Sequence, residues 1–475
     1  MAAFLSRERI VAQPGFNRWL VPPAALAIHL CIGQVYAFSV FKLPLTKVIG
    51  ITASAPGDWT QPQLAWIFTL AIVMLGLSAA VFGRWLERAG PRKSGLASAT
   101  CWALGFLISA VGVRTHTIWL IYLGYGIIGG CGLGLGYITP VSTLIKWFPD
   151  RRGMATGMAI MGFGGGALIA SPLSQFLMDS YKSATSVGVA ETFVTLGLGY
   201  FAFMLFGAFL FRVPAPDWKP KGWTPPARTQ TLVTQRHVHV DEAIKTQQFY
   251  LLWVVLFVNV TAGIGILEQA SPMIQEMFTG KVTANAAAGF VGLLSIFNMA
   301  GRFMWSSASD RLGRKITYGV FFTLGPLLYF SIPHTGRIGS VTLFVVCTTL
   351  ILTMYGGGFA TIPAYLSDIF GTHFVGAIHG RLLTAWSAAG VAGPLLVNYI
   401  REYQRAHGVP GTHAYDFTMY LMAGLLVVGF LSNFSVRPVA ERHYMSEADL
   451  EAEVARGPRP STQRAKVIYG GSDLD

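Results

Sequence analysis

Long apolar stretches recur along the chain between Trp19 and Val436, separated by short polar segments. Most of them reach the roughly 20 residues that a helix needs to cross the hydrocarbon layer of a bilayer. Lipid offers no partner to backbone N–H and C=O groups, so a spanning segment is either a helix or a strand of a closed barrel. Barrel strands are about ten residues long and alternate in polarity, whereas the stretches 64–82 and 415–436 are longer and uniformly apolar. The pattern therefore predicts membrane-spanning helices.

The predicted fold class is an all-α membrane protein with twelve transmembrane helices in two pseudo-symmetric six-helix bundles. The predicted spans are 18–41, 63–84, 94–113, 117–143, 153–178, 191–212, 249–271, 286–308, 316–333, 340–366, 374–399 and 415–436. The predicted organisation is a cytoplasmic N-terminus at 1–17, an N-terminal bundle at 18–212, a polar cytoplasmic linker at 213–248, a C-terminal bundle at 249–436 and a cytoplasmic tail at 437–475.

The two halves repeat each other at a constant offset. Three pairs of similar residues, in matching spans or loops, are each 223 positions apart: Glu87 and Asp310 (310 − 87), Pro140 and Pro363 (363 − 140), and Gly157 and Gly380 (380 − 157). Internal repeats of this kind are typical of transporters that bind substrate between their halves. Glycine and proline at matched positions also favour helices that approach closely and bend during gating, although tight packing alone explains most single glycines.

A short loop with an acid, an arginine and a glycine follows the second span and again the eighth. Its members are Glu87, Arg88 and Gly90 in the first half and Asp310, Arg311 and Gly313 in the second. An acid here can cap a helix N-terminus or pair with a base across the seam between the halves, which would latch one access state. Ordinary positive-inside topology explains the basic residues but not the matched acid and glycine. Asp368, at the end of the tenth span, is interpreted as a further turn or latch acid.

Composition supports a membrane protein, since 53% of the residues are hydrophobic and 12% charged, against roughly 25% charged in soluble domains. The net charge is +13, but its distribution removes the need for a nucleic-acid partner. With the N-terminus inside, 25 Lys and Arg lie on the cytoplasmic side and eight outside, which predicts an inner-membrane protein with both termini in the cytoplasm.

No cofactor, metal site or enzymatic activity is predicted. The four cysteines lie inside spans without paired spacing or an adjacent histidine, so they indicate neither a disulfide framework nor a zinc site. The chain has no Gly-x-x-x-x-Gly-Lys-Ser/Thr loop for ATP, and neither a His-Glu-x-x-His nor a Gly-x-Ser-x-Gly arrangement.

The paired loops, the linker and the order of spans resemble the major facilitator superfamily over the whole membrane region. Three segments resemble its oxalate/formate antiporter family, which is related to the monocarboxylate transporters: Gly33-Gln-Val-Tyr-Ala-Phe-Ser-Val-Phe41, Asn298-Met-Ala-Gly-Arg302 and Leu383-Thr-Ala-Trp-Ser-Ala-Ala-Gly390. The resemblance implies a carrier of small organic anions. It also implies a basic residue at Arg302 and a second one, a lysine, where this chain has Trp386. The missing charge favours a monoanion such as formate, lactate or pyruvate, or an unrelated small solute, over oxalate.

Ionisable residues inside spans are costly, so each is a candidate for function. Arg302 is the strongest, because its planar guanidinium suits a carboxylate; snorkelling or a structural ion pair is the alternative. Arg381 and His379 are interpreted as interface anchors or as the inner mouth of an anion path. Glu268 and His29 are candidates for proton coupling, with hydration near the outer end and simple core packing as their respective alternatives.

Aromatic side chains complete the predicted site. Tyr36, Tyr137, Tyr355 and Trp386 lie near the middle of their spans, and Tyr combines an O–H donor with an apolar body. Together with Arg302 they are predicted to bind the substrate.

We therefore predict a monomeric secondary carrier of a small monocarboxylate that works by alternating access, with protons or a counter-anion as possible co-substrates. A drug or neutral-solute exporter of the same fold, in which Arg302 is structural, is one alternative. A non-transporting membrane sensor, acting through its linker and tail, is a more distant one.

Overall fold

The structure is a computed structural model, and it describes residues 7–215, 218–224 and 232–456. Within this part of the chain, twelve long helices form the body of the protein. They are α1 (Arg18–Ala37), α2 (Gln61–Ala89), α3 (Pro91–Arg114), α4 (Ile118–Trp147), α5 (Arg152–Tyr181), α6 (Val189–Leu210), α7 (Gln247–Met277), α8 (Ala284–Leu312), α9 (Arg314–Arg337), α10 (Val341–Phe370), α11 (Val375–Ala406) and α12 (Asp416–Ser435). Short helices also occur at Arg7–Ile10, Ser39–Leu45, Val240–Ala243, Gly411–His413, Glu441–His443 and Glu447–Arg456.

Eleven of the described helices are long and apolar enough to cross a membrane. The remaining long helix, α8, has 29 residues and is also long enough to cross a membrane. It carries the buried arginine described below. The predicted all-α membrane fold is confirmed, and the count of twelve spans agrees with it once α8 is included.

Three helices contain irregular turns. Residues 33–37 of α1 form a 3-10 segment, residues 122–129 of α4 form a π-helical segment, and α11 is interrupted at Leu383 between Val375–Leu382 and Thr384–Ala406. Such turns weaken the regular hydrogen-bond ladder and often mark functional sites or hinges. Here the first turn carries Tyr36, and Trp386 follows the break in α11.

The two halves meet where α5 packs on α8 and where α2 packs on α11. At each contact a glycine allows the backbones to approach closely. A methyl group on Gly157 of α5 would overlap Ser306 Oγ of α8, and one on Gly380 of α11 would overlap the Ala79 carbonyl oxygen of α2. The glycine pair found at the offset of 223 positions therefore lies at equivalent positions on the seam.

The N-terminal segment, the linker and the tail lie together at one end of the bundle. Ala12 N–H donates to Val213 O at 2.9 Å, and Met445 N–H donates to His237 O at 2.9 Å. The linker also reaches the end of α10, where Thr234 N–H donates to Asp368 O at 2.8 Å. We call this end of the bundle the linker side and the opposite end the far side.

Candidate functional site

Arg302 of α8 is fully buried, with 0% of its surface exposed. Its Nε donates to Asn298 Oδ1 of the same helix at 3.2 Å, and its Nη1 donates to Ile160 O of α5, in the other half, at 3.3 Å. The third guanidinium nitrogen, Nη2, is buried without a hydrogen bond. The side chain therefore crosses the seam and has a donor left over, and it does not reach out to either surface.

Aromatic rings from both halves surround the guanidinium. Its carbon lies 5.7 Å from the ring centre of Phe163 in α5 and 5.3 Å from that of Phe359 in α10, distances at which a cation is attracted to an aromatic face. Trp386 closes the group, with ring centroids 4.5 Å from Phe359, 5.4 Å from Phe163 and 5.3 Å from Tyr137. The rings of Phe163, Phe359 and Trp386, together with Arg302, form a cage across the seam.

Sequence reasoning found Trp386 and Tyr137 but missed Phe163 and Phe359. Each of the missed residues stands next to glycines, in Gly162-Phe-Gly-Gly-Gly166 and Gly356-Gly-Gly-Phe359. A large ring beside a run of glycines is a usable signal, because the glycines bring the neighbouring helices close to that ring.

Further hydrogen-bond donors belong to the aromatic residues of this cluster. The hydroxyls of Tyr36 and Tyr355 lie close to each other and to Arg302, yet neither makes a hydrogen bond of normal geometry. The Tyr137 hydroxyl and the Trp386 Nε1–H are likewise buried without a partner. Buried polar groups usually have partners, and donors around one fixed cation are the groups that an anion requires.

Two histidines border this cluster. His379 of α11 is 1% exposed, its ring lies 5.8 Å from that of Tyr137, and both its nitrogens are buried without a hydrogen bond. The ring of His29 in α1 stacks on the ring of Tyr137, with the two centroids 5.4 Å apart. Sequence reasoning placed His379 and Arg381 together at the inner mouth, whereas the structure separates their side chains: Arg381 donates to Val240 O at 2.9 Å and Asp241 Oδ1 at 2.6 Å in the linker.

Glu268 lies in α7, but its side chain falls outside the described residues. Among the residues that the structure describes, no group of three or more His, Cys, Asp or Glu side chains is arranged to hold a metal ion.

The matched loop acids close the seam on the linker side. Asp310 accepts hydrogen bonds from the first amides of α5 in the other half, Gly153 N–H and Met154 N–H, each at 2.8 Å. Glu87 accepts one from Gly376 N–H, in the first turn of α11, at 3.1 Å. Each carboxylate thus caps the helix N-terminus of the opposite half, where the helix dipole favours negative charge.

Bases within each half hold these carboxylates. Lys146 pairs with Glu87. Arg314 pairs with Asp310 at 2.7 Å and with Asp368 at 3.0 Å. Asp368 also pairs across the seam with Arg152 of α5, at 3.0 Å.

The other loop residues have different places. Gly90 and Gly313 adopt φ of +83° and +86° at the two helix junctions, a conformation that favours glycine. Arg88 pairs with Glu453 of the tail at 3.1 Å, and Arg311 is exposed.

Known transporters resemble the chain along most of its length. It is 26% identical over 378 residues to the oxalate:formate antiporter of Oxalobacter formigenes, covering 79% of this chain and 83% of that protein. It is 23% identical over 456 residues to apicoplast pyruvate carrier 1 of Toxoplasma gondii, covering 79% and 82%. The resemblance to organic-anion carriers predicted from sequence motifs is confirmed.

The fold is shared with solved transporter structures. The Escherichia coli fucose:proton symporter FucP superposes with a TM-score of 0.63 at 14% identity, covering 88% of this chain and 99% of that one. The sequence profile of the Major Facilitator Superfamily matches residues 16–394. This match covers most of the chain, including α8 and the two loops that carry Glu87 and Asp310. The protein is therefore a multi-pass membrane transporter, not an enzyme, and belongs to the Major Facilitator Superfamily.

Proposed function

We propose that the protein carries a small monocarboxylate across the membrane by alternating access. The observation that carries the proposal is the Arg302 guanidinium, fully buried at the seam with Nη2 unpaired. A buried cation is costly without a partner, and a carboxylate matches its planar donors. The hydroxyls of Tyr36, Tyr137 and Tyr355 and the indole N–H of Trp386 supply additional donors to the same anion.

The charge of the site favours a monoanion. Trp386 stands where oxalate carriers of the related family have a lysine, and its ring fills the position between Phe359 and Phe163. A dianion bound to Arg302 would leave one carboxylate facing these rings, and a buried charge without a partner costs several kcal/mol. Formate, lactate and pyruvate each carry one carboxylate, whose single negative charge matches the single positive charge of Arg302. The similarity to an oxalate:formate antiporter and to a pyruvate carrier supports this class of substrate.

Transport then requires the seam to open alternately on each side. The carboxylate caps of Glu87 and Asp310 support a resting state that is closed on the linker side. We assign that side to the cytoplasm of an inner membrane, since most Lys and Arg of the loops lie there. Opening breaks the contacts of both carboxylates with the opposite half and exposes Arg302.

Proteoliposome uptake of radiolabelled formate, lactate, pyruvate and oxalate tests the proposal. We expect uptake of at least one monocarboxylate, weaker uptake of oxalate, and loss of uptake in Arg302→Ala. Arg437→Ala, the same substitution at an exposed position, serves as the matched control and should transport normally. Normal transport by Arg302→Ala, or no uptake of any of the four anions by the unmodified protein, would show that the proposal is wrong.

A further inference from the structure

His379 of α11 lies between the central cage and the contacts that close the linker side. It stands three residues after Gly376, whose N–H donates to Glu87 across the seam at 3.1 Å, and seven residues before Trp386 of the cage. At about 1.5 Å per residue, these separations place His379 about 4.5 Å inward from the cap and about 10 Å from Trp386 along the helix. An anion that leaves Arg302 toward the linker side therefore passes the level of this histidine.

The equivalent position of the first half makes a complete contact across the seam. Thr156 corresponds to His379 at the offset of 223 positions (379 − 156), and Ala360 corresponds to Tyr137 (360 − 137). The Thr156 hydroxyl donates to the Ala360 carbonyl oxygen at 2.6 Å. In the second half, the His379 ring faces the Tyr137 ring with centroids 5.8 Å apart, and no hydrogen bond joins them. The two mirrored contacts therefore differ in whether their polar groups are paired.

The groups left unpaired at this contact are buried. His379 is 1% exposed, both its ring nitrogens lack a partner, and the Tyr137 hydroxyl lacks one as well. A neutral imidazole has one N–H donor and one acceptor, and a phenol has an O–H donor. Buried polar groups without partners reduce stability. The second half thus bears a cost at this position that the first half avoids with Thr156.

Burial of a histidine in this bundle does not by itself leave its nitrogens without partners. The ring of His29 is also buried, but its Nδ1 lies 2.5 Å from Ala159 O and its Nε2 lies 3.2 Å from Tyr137 O. His379 has no such arrangement. Its two nitrogens and the Tyr137 hydroxyl are therefore the hydrogen-bonding groups that remain available beside the path once the seam opens.

We infer that His379 and the Tyr137 hydroxyl form a second, transient site for the carboxylate on the linker-side half of the path. The inference rests on the proposed function. When the linker side opens, the imidazole N–H and the phenol O–H donate to the carboxylate oxygens after these leave the guanidinium of Arg302. An anion passing apolar rings without a partner would bear a cost of several kcal/mol. Two neutral donors reduce that cost, and they bind the anion less strongly than an arginine does, so it is released to the linker side.

Substitutions that separate the nitrogens of His379 from its ring test the inference. His379→Phe keeps an aromatic ring of similar size and removes both nitrogens. The initial rate of formate, lactate or pyruvate uptake into proteoliposomes, measured at low substrate concentration, should fall at least about tenfold, equivalent to about 1.4 kcal/mol. His379→Asn and His379→Gln place an amide N–H near the positions of Nδ1 and Nε2. At least one of them should retain uptake within about threefold, or about 0.6 kcal/mol.

A merely structural role would give the opposite order, because phenylalanine preserves the packing and the amides do not. Normal uptake by His379→Phe, or uptake by both amide variants as low as that of His379→Phe, would overturn the inference. The melting temperature of His379→Phe should not fall, since unpaired polar atoms leave a buried site. His379→Leu also lacks the nitrogens and should show the same loss of uptake, which covers the case in which the phenyl ring disturbs folding. His334→Phe, the same change at an exposed histidine, is the matched control and should transport normally.

Equilibrium binding distinguishes a transient site from the central one. Because Arg302 is untouched, calorimetry should give formate and pyruvate affinities in His379→Phe within about threefold of the unmodified protein. Binding at least about tenfold weaker would overturn the inference, since it would place His379 in the central site. Loss of uptake in Arg302→Ala combined with normal uptake in His379→Phe refutes this inference alone. Absence of uptake of every anion by the unmodified protein refutes the proposed function.

Discussion

The carboxylate caps give a quantitative prediction about the resting state. Asp310→Asn keeps the size and shape of the side chain but removes its charge and one acceptor oxygen. In the structure the two oxygens accept separately, from Gly153 N–H and Met154 N–H of the opposite half, each at 2.8 Å. The asparagine amide can accept only one of these N–H groups, and its NH2 group faces the other.

The size of the effect follows from those two bonds. A hydrogen bond to a charged group contributes about 1.5–3 kcal/mol and a neutral one about 0.5–1.5 kcal/mol. Losing one charged bond and weakening the second thus costs the linker-side-closed state about 2–4 kcal/mol, or about 30- to 1000-fold in its ratio to the open state. Glu87→Gln should cost about half as much, because Glu87 contacts a single amide across the seam, that of Gly376 at 3.1 Å.

Distances between spin labels measure this ratio. Labels at Lys93 and Arg437 place one probe on each half, both at exposed positions on the linker side. The four native cysteines, Cys31, Cys101, Cys131 and Cys347, are replaced beforehand. Double electron–electron resonance should show a single shorter distance in the unmodified protein, and a longer population that grows more in Asp310→Asn than in Glu87→Gln.

Two outcomes would refute the reasoning. Unchanged distances in Asp310→Asn would mean that the caps do not hold the seam closed. A larger effect of Glu87→Gln would mean that the number of amides capped across the seam does not set the energy. Arg311→Gln, which changes an exposed neighbour in the same loop, controls for a general effect on the loop and should leave the distances unchanged.

Two further predictions concern substrate charge and the linker. Trp386→Lys adds the second cation and should raise uptake of oxalate relative to formate about tenfold or more, or about 1.4 kcal/mol, whereas Trp386→Phe should not; an unchanged ratio would contradict the charge argument. In the linker, the hydrogen bond from Arg381 lowers the pKa of Asp241 below its ordinary value of 3.8, against the opposing effect of burial and with help from the charge of Arg84. A carboxyl with a lowered pKa stabilises the folded contact above its ordinary pKa and loses that contribution as pH falls through the lowered value. A spin label at Gln235 should therefore keep its mobility from pH 7 to pH 4 and gain mobility only below 3.8; Asp241→Asn should show no such pH step, and increased mobility of the unmodified linker between pH 7 and pH 5 would contradict the assignment.

The parts of the protein that depend on one-dimensional patterns were predictable. Apolar length indicated the helices, and the constant offset indicated the two halves. The same offset also relates the amides that the two loop acids cap. Gly376, which donates to Glu87, and Gly153, which donates to Asp310, are 223 positions apart (376 − 153), as are Asp310 and Glu87 themselves. The offset in the sequence therefore also indicates which helix N-terminus each acid caps.

The interior of the site was less predictable because it depends on how helices cross. His379 stands only one turn from the start of α11, so its sequence position suggested the mouth of the path. In the structure His379 is buried against Tyr137, because the contacts of Glu87 and Asp310 across the seam lie between this histidine and the linker side. The contacts of His29 also could not be read from sequence, because its carbonyl partners, Ala159 and Tyr137, belong to two other helices.

Pseudo-symmetry finally explains why the gate is duplicated while the site is not. Phe163 and Trp386 are again 223 positions apart (386 − 163), and their rings meet across the seam with centroids 5.4 Å apart. The equivalent of Arg302 in the first half is Ala79 (302 − 223), which packs on Gly380 of α11. Two halves with equivalent caps can close by the same motion, and a symmetric pair of rings can line the centre. A single arginine, however, gives the site one positive charge, off the symmetry axis. The scaffold is thus shared by both halves, whereas the recognition of a monoanion that we propose depends on the second half.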